Sequence, residues 1–195
     1  MKELNYTKNV YDWFLDKVFL TLNKPSEADE FLDYLYFVTL KPKPIIEKPK
    51  IENISMGVFK EFDMFHIYFD RQIRKGRLEY YTERKTFGVG YLDFDATRLG
   101  KRIPVNQLTG AHAHGVFLIH KTSREKCDEY LKSGNLEQKM NEWRYIESIQ
   151  IDLFNKAKTF QDTISYCSKF AKHHNYEYKC VFPSKGNIFE KYPEA

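Results

Sequence analysis

Two histidines flank an alanine at His112-Ala113-His114, inside an otherwise apolar stretch. If that stretch is a strand, alternate side chains share a face, so both imidazoles project to the same side about two residues' rise apart. Two neutral ring nitrogens at that spacing can chelate one divalent ion. His120 has the same parity but lies six residues beyond His114, too far along to join them. Asp93 and Asp95 precede the pair and also share a parity. A hairpin would bring one of them beside the imidazoles as a third ligand, leaving positions open for substrate and water. Which of the two serves stays open, because the intervening loop is long enough to hide the register.

A second group of reactive types lies near the carboxyl end. Tyr166 and Lys169 stand three residues apart, neighbours on one side of a helix. A phenol titrates near pH 10 and needs help to act as a nucleophile at neutral pH. A lysine and a metal-bound phosphate nearby favour negative charge and so supply that help.

The elements that must position these groups follow from periodicity. Val10–Leu22 places apolar residues at helical spacing. Tyr34–Leu40 is aromatic and β-branched, the composition of a strand, and the proline-dense segment 41–49 ends it. Gly57–Arg74 repeats Val58, Phe62, Phe65, Phe69 and Ile73 every three to four residues, a helix. Thr86–Ala96 and Ala111–His120 read as strands joined by a polar loop containing Gly100, Pro104 and Gly110. Ser123–Trp143 is a charged helical region interrupted near Gly134, and Tyr145–Phe154 alternates as a half-buried strand. Thr159–His174 is a helix with Thr159 at its cap and Asp162 three residues on. On its wheel Phe160, Ile164, Cys167 and Ala171 cluster, whereas Tyr166, Lys169 and His173 fall on the flank. This order predicts an α+β domain, an antiparallel sheet with helices packed on it. We expect a helical extension over 1–30, the domain over 31–182 and a tail over 183–195.

Composition bounds the function. The chain has 195 residues, 31 Lys and Arg against 27 Asp and Glu, and a net charge of +4. Such a mild, dispersed excess permits a phosphate-bearing partner without demanding one. Three cysteines, Cys127, Cys167 and Cys180, argue against a disulfide framework and for a reducing, cytoplasmic setting. No apolar run approaches a membrane span, and Met1–Phe14 lacks the apolar stretch of a secretory leader. An intracellular protein without a membrane partner is the expectation.

Three segments in order resemble the HUH endonuclease superfamily, and within it the single-tyrosine replication initiators (Rep) of small plasmids and viruses. Tyr36-Phe37-Val38-Thr39-Leu40-Lys41-Pro42 resembles the first-strand motif, His112-Ala113-His114 the metal motif, and Tyr166-Cys167-Ser168-Lys169-Phe170 the nucleophile motif. The resemblance implies a ferredoxin/RRM-like sheet fold and metal-dependent cleavage of single-stranded DNA or an origin hairpin. It makes His112, His114 and Asp93 or Asp95 ligands of Mg²⁺ or Mn²⁺, Tyr166 the nucleophile that ends as a 5′-phosphotyrosine, and Lys169 a stabiliser of phosphate charge. Rolling-circle initiation is the biological process implied.

Two features depart from that pattern. The acidic ligand of these proteins often sits within ten residues of the histidines, whereas Asp95 precedes His112 by 17. The glycine-rich phosphate loop of a helicase domain is lacking, so unwinding would fall to a host helicase and replication machinery. Three rival readings stand beside the initiator. A compact transposase shares the motif order. A zinc-stabilised binding module would use Cys167, His173, His174 and Cys180. A catalytically idle nucleic-acid binder would stack bases on Tyr36, Tyr91 and Phe117.

Overall fold

The computed structural model describes residue 12 and residues 30–43, 51–74, 86–95, 109–154, 159–169, 178–182 and 190–191. The helix expected over Val10–Leu22 lies outside them apart from Asp12, as do the loop residues Gly100 and Pro104.

A 3-10 turn over Glu30–Tyr34 leads into strand β1 (Leu35–Pro42), followed by helix α1 (Ile51–Ile73), β2 (Phe87–Phe94) and β3 (Ala111–Leu118). Helices α2 (Arg124–Lys132) and α3 (Asn135–Glu142) precede β4 (Ile146–Leu153). Helix α4 (Phe160–Cys167) and the short strands β5 (Tyr178–Phe182) and β6 (Glu190–Lys191) complete the order. The strands lie as β4-β1-β3-β2-β5-β6, every neighbouring pair antiparallel. Since β1 and β2 both oppose β3, they run parallel to each other with β3 between them, the split β-α-β arrangement. The chain is therefore α+β with an antiparallel sheet, as its periodicity predicts. Two elements were not anticipated: β5 extends the sheet beyond β2, and the segment expected as a plain tail adds β6.

Strand alternation divides the core into two. One sheet face carries Tyr36, Val38, Leu40, Leu92, Phe94, Ala113 and Phe117, and α1, α2 and α3 cover it. The apolar stripe of α1 supplies Val58, Phe62, Phe65, Phe69 and Ile73, all fully buried. Phe62 and Phe65 stack on Phe117 with ring centroids 5.5 and 6.2 Å apart. Gly115 makes this approach feasible, because a Cβ there would meet both the Phe62 ring and the Val89 carbonyl oxygen. Each such buried side chain contributes roughly 1.5–3 kcal/mol, so this face holds most of the stabilising area. The interruption expected near Gly134 is a left-handed residue, φ 74°, that separates α2 from α3.

A buried polar clamp fixes the end of α1 against the start of β2. His66 Nε2 donates to the Thr86 carbonyl at 2.8 Å, the Thr86 amide donates to Asp70 Oδ1 at 2.9 Å, and Asp70 pairs with Arg74 at 2.6 Å. These bonds set where β2 begins, and hence how far Asp93 travels along the sheet.

The other face carries Leu35, Val89, Tyr91, Val116 and Leu118, packed against Phe160, Ile164 and Cys167 of α4. Helix α4 begins at a capping box. Asp162 N donates to Thr159 Oγ1 at 3.0 Å and the Asp162 carboxylate reaches back to the Thr159 amide. It lies mainly over β2 and β3 and touches β1 at Leu35 and Phe37, so much of this face of β1 and β4 stays open beside it. Among the described residues no helix is long and apolar enough to cross a membrane.

Candidate metal centre and tyrosine cleft

The β2–β3 register settles what the loop concealed. Asp93 is the direct cross-strand partner of His112, and Tyr91 that of His114. Asp93, His112 and His114 thus lie together on the face that α4 partly covers, and all three are buried. Their ligating atoms lie within 4.8 Å of one another. Asp93 Oδ2 is 3.4 Å from His112 Nε2 and 3.3 Å from His114 Nε2, and the two Nε2 atoms are 3.1 Å apart.

The distal ring nitrogens are tied back. His112 Nδ1 donates to the Gly110 carbonyl at 2.7 Å, which fixes the ring with Nε2 turned toward Asp93 and His114. His114 Nδ1 lies 3.0 Å from Thr39 Oγ1, on the neighbouring strand β1, where Thr39 and His114 are cross-strand partners. A hydroxyl or carbonyl on one nitrogen that aims the other at a common point is the outer support of metal-binding histidines. Burial holds the His114 imidazole below its ordinary range, outweighing the pull of the Asp93 carboxylate in the other direction. It stays neutral near pH 7, the form that ligates. Two imidazoles and a carboxylate on one concave surface can hold a divalent ion; the donor set fits one.

Asp95, the other acidic candidate, lines the same cleft as the histidines but on the far side of His112. Its carboxylate lies 3.8 Å from His112 Nδ1, on the ring edge turned away from the Nε2 pair, with its side chain 46% exposed. It is outside the three-donor group. Gly110 separates these regions: its φ is +65°, and a Cβ there would fall on the Asp95 carboxylate.

Helix α4 brings in the rest. Its apolar stripe is buried as expected, with Phe160, Ile164 and Cys167 in the core, while Tyr166 is 50% exposed. The Tyr166 ring lies 5.2 Å from that of His114, centroid to centroid. Lys169 Nζ lies 2.8 Å from Asp93 Oδ2 and 4.5 Å from the centre of the Tyr166 ring. Histidines, tyrosine and lysine, 52 residues apart in sequence between His114 and Tyr166, share one cleft of about 170 Å³. Thr39, Lys41, Ser148, Gln150 and Asp95 line the rest of it.

Sequence reading singled out neither Ser148 nor Gln150, and reached Thr39 and Lys41 only as members of the first-strand motif. Their signal is parity: Thr39 pairs with Gln150 and Lys41 with Ser148 across β1 and β4, but nothing local links strands more than a hundred residues apart. His120 leaves the strand and caps the following turn, accepting from the Thr122 amide at 3.2 Å. The zinc module fails on placement. Cys167 and Cys180 are buried in different cores on opposite sheet faces, and His173 and His174 lie outside the described residues. The stacking platform fails too, since Tyr36, Tyr91 and Phe117 are at most 1% exposed. Comparison with models of protein families, with curated proteins and with solved structures returned no match.

Proposed function

We propose that the protein is a metal-dependent endonuclease and strand transferase for single-stranded DNA, of the single-tyrosine HUH initiator kind. The observation that carries this reading is that His112 and His114, whose Nε2 atoms meet the buried Asp93 carboxylate, line one cleft with Tyr166 and Lys169, and that Lys169 Nζ reaches Asp93 at 2.8 Å. A metal centre alone would serve many reactions. A half-exposed phenol against one ligand and an ammonium on another supports attack on a phosphodiester.

His112, His114 and Asp93 would hold Mg²⁺ or Mn²⁺, which supplies Lewis-acid polarisation of the scissile phosphate. Tyr166 Oη attacks phosphorus and loses its proton, a tyrosine–phosphate ester forms, and the bond to the 3′ oxygen breaks. The electron pair leaves on that oxygen, which takes a proton and becomes a free 3′-hydroxyl. The product is a 5′-phosphotyrosine whose reversal by a 3′-hydroxyl joins ends. Lys169, held beside Asp93, is within reach to orient the phosphate and balance its charge. The buried histidines and aspartate at the cleft floor require the phosphate to approach closely, which favours an unpaired strand or hairpin loop over intact duplex. Initiation of rolling-circle replication, with a host helicase opening the duplex, is the process this chemistry fits.

The test is incubation of the full chain with Mn²⁺ and a library of labelled single strands and hairpins. A denaturation-resistant protein–DNA adduct, mapped to Tyr166, lost in Tyr166→Phe and in the His112→Ala, His114→Ala double variant, is the expected result. An adduct that persists in Tyr166→Phe, or maps elsewhere, overturns the assignment.

A further inference from the structure

Beside the cleft, and sharing Tyr166 with it, a second concavity of about 550 Å³ opens on the same sheet face. It exists because α4 covers mainly β2 and β3 and leaves much of β1 and β4 open. Its walls include Phe37, Asp152, Phe154, Asp162, Thr163 and Tyr166. Its size lies within the roughly 300–1,000 Å³ of small-ligand pockets.

Phe37 and Asp152 are direct cross-strand partners on β1 and β4. The Phe37 and Tyr166 rings stand 6.1 Å apart at 52°, an open corner rather than a closed stack, and a flat heterocycle can lie against either ring. Among the described residues that line this concavity none is cationic, and two are carboxylates. A phosphate is repelled there; a heterocycle edge rich in N–H donors is attracted. Asp162 is engaged in the helix cap through Thr159. Asp152 takes one bond from Gln150 Nε2 at 2.7 Å, which leaves acceptor capacity on a group with about four lone-pair sites.

We propose that this concavity is a base-reading subsite that takes a guanine of single-stranded DNA next to the cleaved phosphate. The guanine stacks in the Phe37–Tyr166 corner and its edge is read by Asp152. The inference rests on the nuclease reading above, since Tyr166 joins the two sites. Guanine is selected by donor pattern. Its N1–H and N2–H₂ are adjacent donors that match two carboxylate oxygens. Cytosine and adenine each put a ring-nitrogen acceptor beside their amino group, and thymine flanks its N3–H with carbonyls.

The experiment uses the full chain in chelator, so that no strand is cut, and fluorescein-labelled oligothymidylates carrying one central dG, dA or dC, or none. Fluorescence anisotropy should show the dG strand bound on the order of tenfold more tightly than the others, the discrimination of one good bidentate contact. Asp152→Asn, which exchanges one acceptor for a donor, should erase that preference. Phe37→Leu, which keeps apolar volume, should weaken all four strands alike; thermal melts confirm that both variants fold. Equal affinity for the four strands in the wild type, preference for another base, or a dG preference that survives in Asp152→Asn overturns the subsite. Cleavage of DNA without any dG preference sinks the subsite and leaves the nuclease standing. A dG preference without adduct formation on any strand upholds the subsite and sinks the nuclease.

Discussion

Asp93 and Asp95 differ by two positions, share a strand face by parity, and have unlike surroundings. Asp93 is fully buried between two imidazoles and an ammonium, whereas Asp95, just beyond the end of β2, stands half-exposed on the cleft wall. Asp93→Asn removes the anionic donor of the group and should lower Mn²⁺ affinity by at least tenfold, read by calorimetric titration. Asp95→Asn should change it little, because exposed charges near a site act weakly through water. Comparable losses in both variants would return Asp95 to the ligand set. The buried histidines also set a pH response. Burial holds both His114 and His66 below the ordinary imidazole range. The unfolded chain, with imidazoles near 6.5, therefore takes up protons first as pH falls. Stability is retained above about 6.5 and lost on acidification below it. Urea midpoints on either side of that value should show the drop, and His66→Gln, which keeps a donor for Thr86, should reduce it.

At the scale of elements, α4 decides whether the tyrosine meets the Asp93, His112 and His114 group. It is only eight residues long, too short to persist by propensity, so its capping box and its apolar stripe must hold it. Thr159→Ala removes the acceptor for the Asp162 amide and should cost about 1 kcal/mol of stability. Because Tyr166 and Lys169 sit at the far end of the helix, adduct formation should fall further than unfolding alone accounts for. Parallel measurement of denaturant midpoint and adduct yield checks both. The helix was legible from its cap and its three-four spacing, and so was the exposure of Tyr166. Its expected carboxyl end, His174, lies outside the described residues; within them α4 runs to Cys167, and Ser168 Oγ donates to the Ile164 carbonyl at 2.8 Å.

For the molecule as a whole, stability and chemistry are divided between the two faces of one sheet. Phe117 lies at the centre of the stabilising side, in ring contact with Phe62, Phe65 and Phe69, while His112 and His114 project from the other side of the same strand. Phe117→Ala should cost about 3–5 kcal/mol through lost burial and a residual cavity. Total stabilities of single domains run only to roughly 5–15 kcal/mol, so the variant should unfold at much lower denaturant. Metal affinity of whatever fraction stays folded should be close to that of the wild type, since no metal donor faces that cavity. A loss of affinity with unchanged stability would contradict the two-face division.

The sequence by itself determined what is local. Alternation in Ala111–Leu118 put both histidines on one face, the 3.6-residue repeat of α1 marked its buried stripe, and the Thr159–Asp162 pair started α4. These follow from the fixed geometry of strands and helices and need no distant partner. The tertiary structure alone decided which aspartate joins the histidines, because hairpin register across a long loop is set by the packing of whole strands. It alone brought Thr39 to His114 and Lys169 to Asp93, pairings whose energy comes from burial that no short window of sequence contains. Strand β5 escaped notice for the same reason. Its five residues carry too little periodicity to stand out, and their place in the sheet comes from hydrogen bonds along the edge of β2.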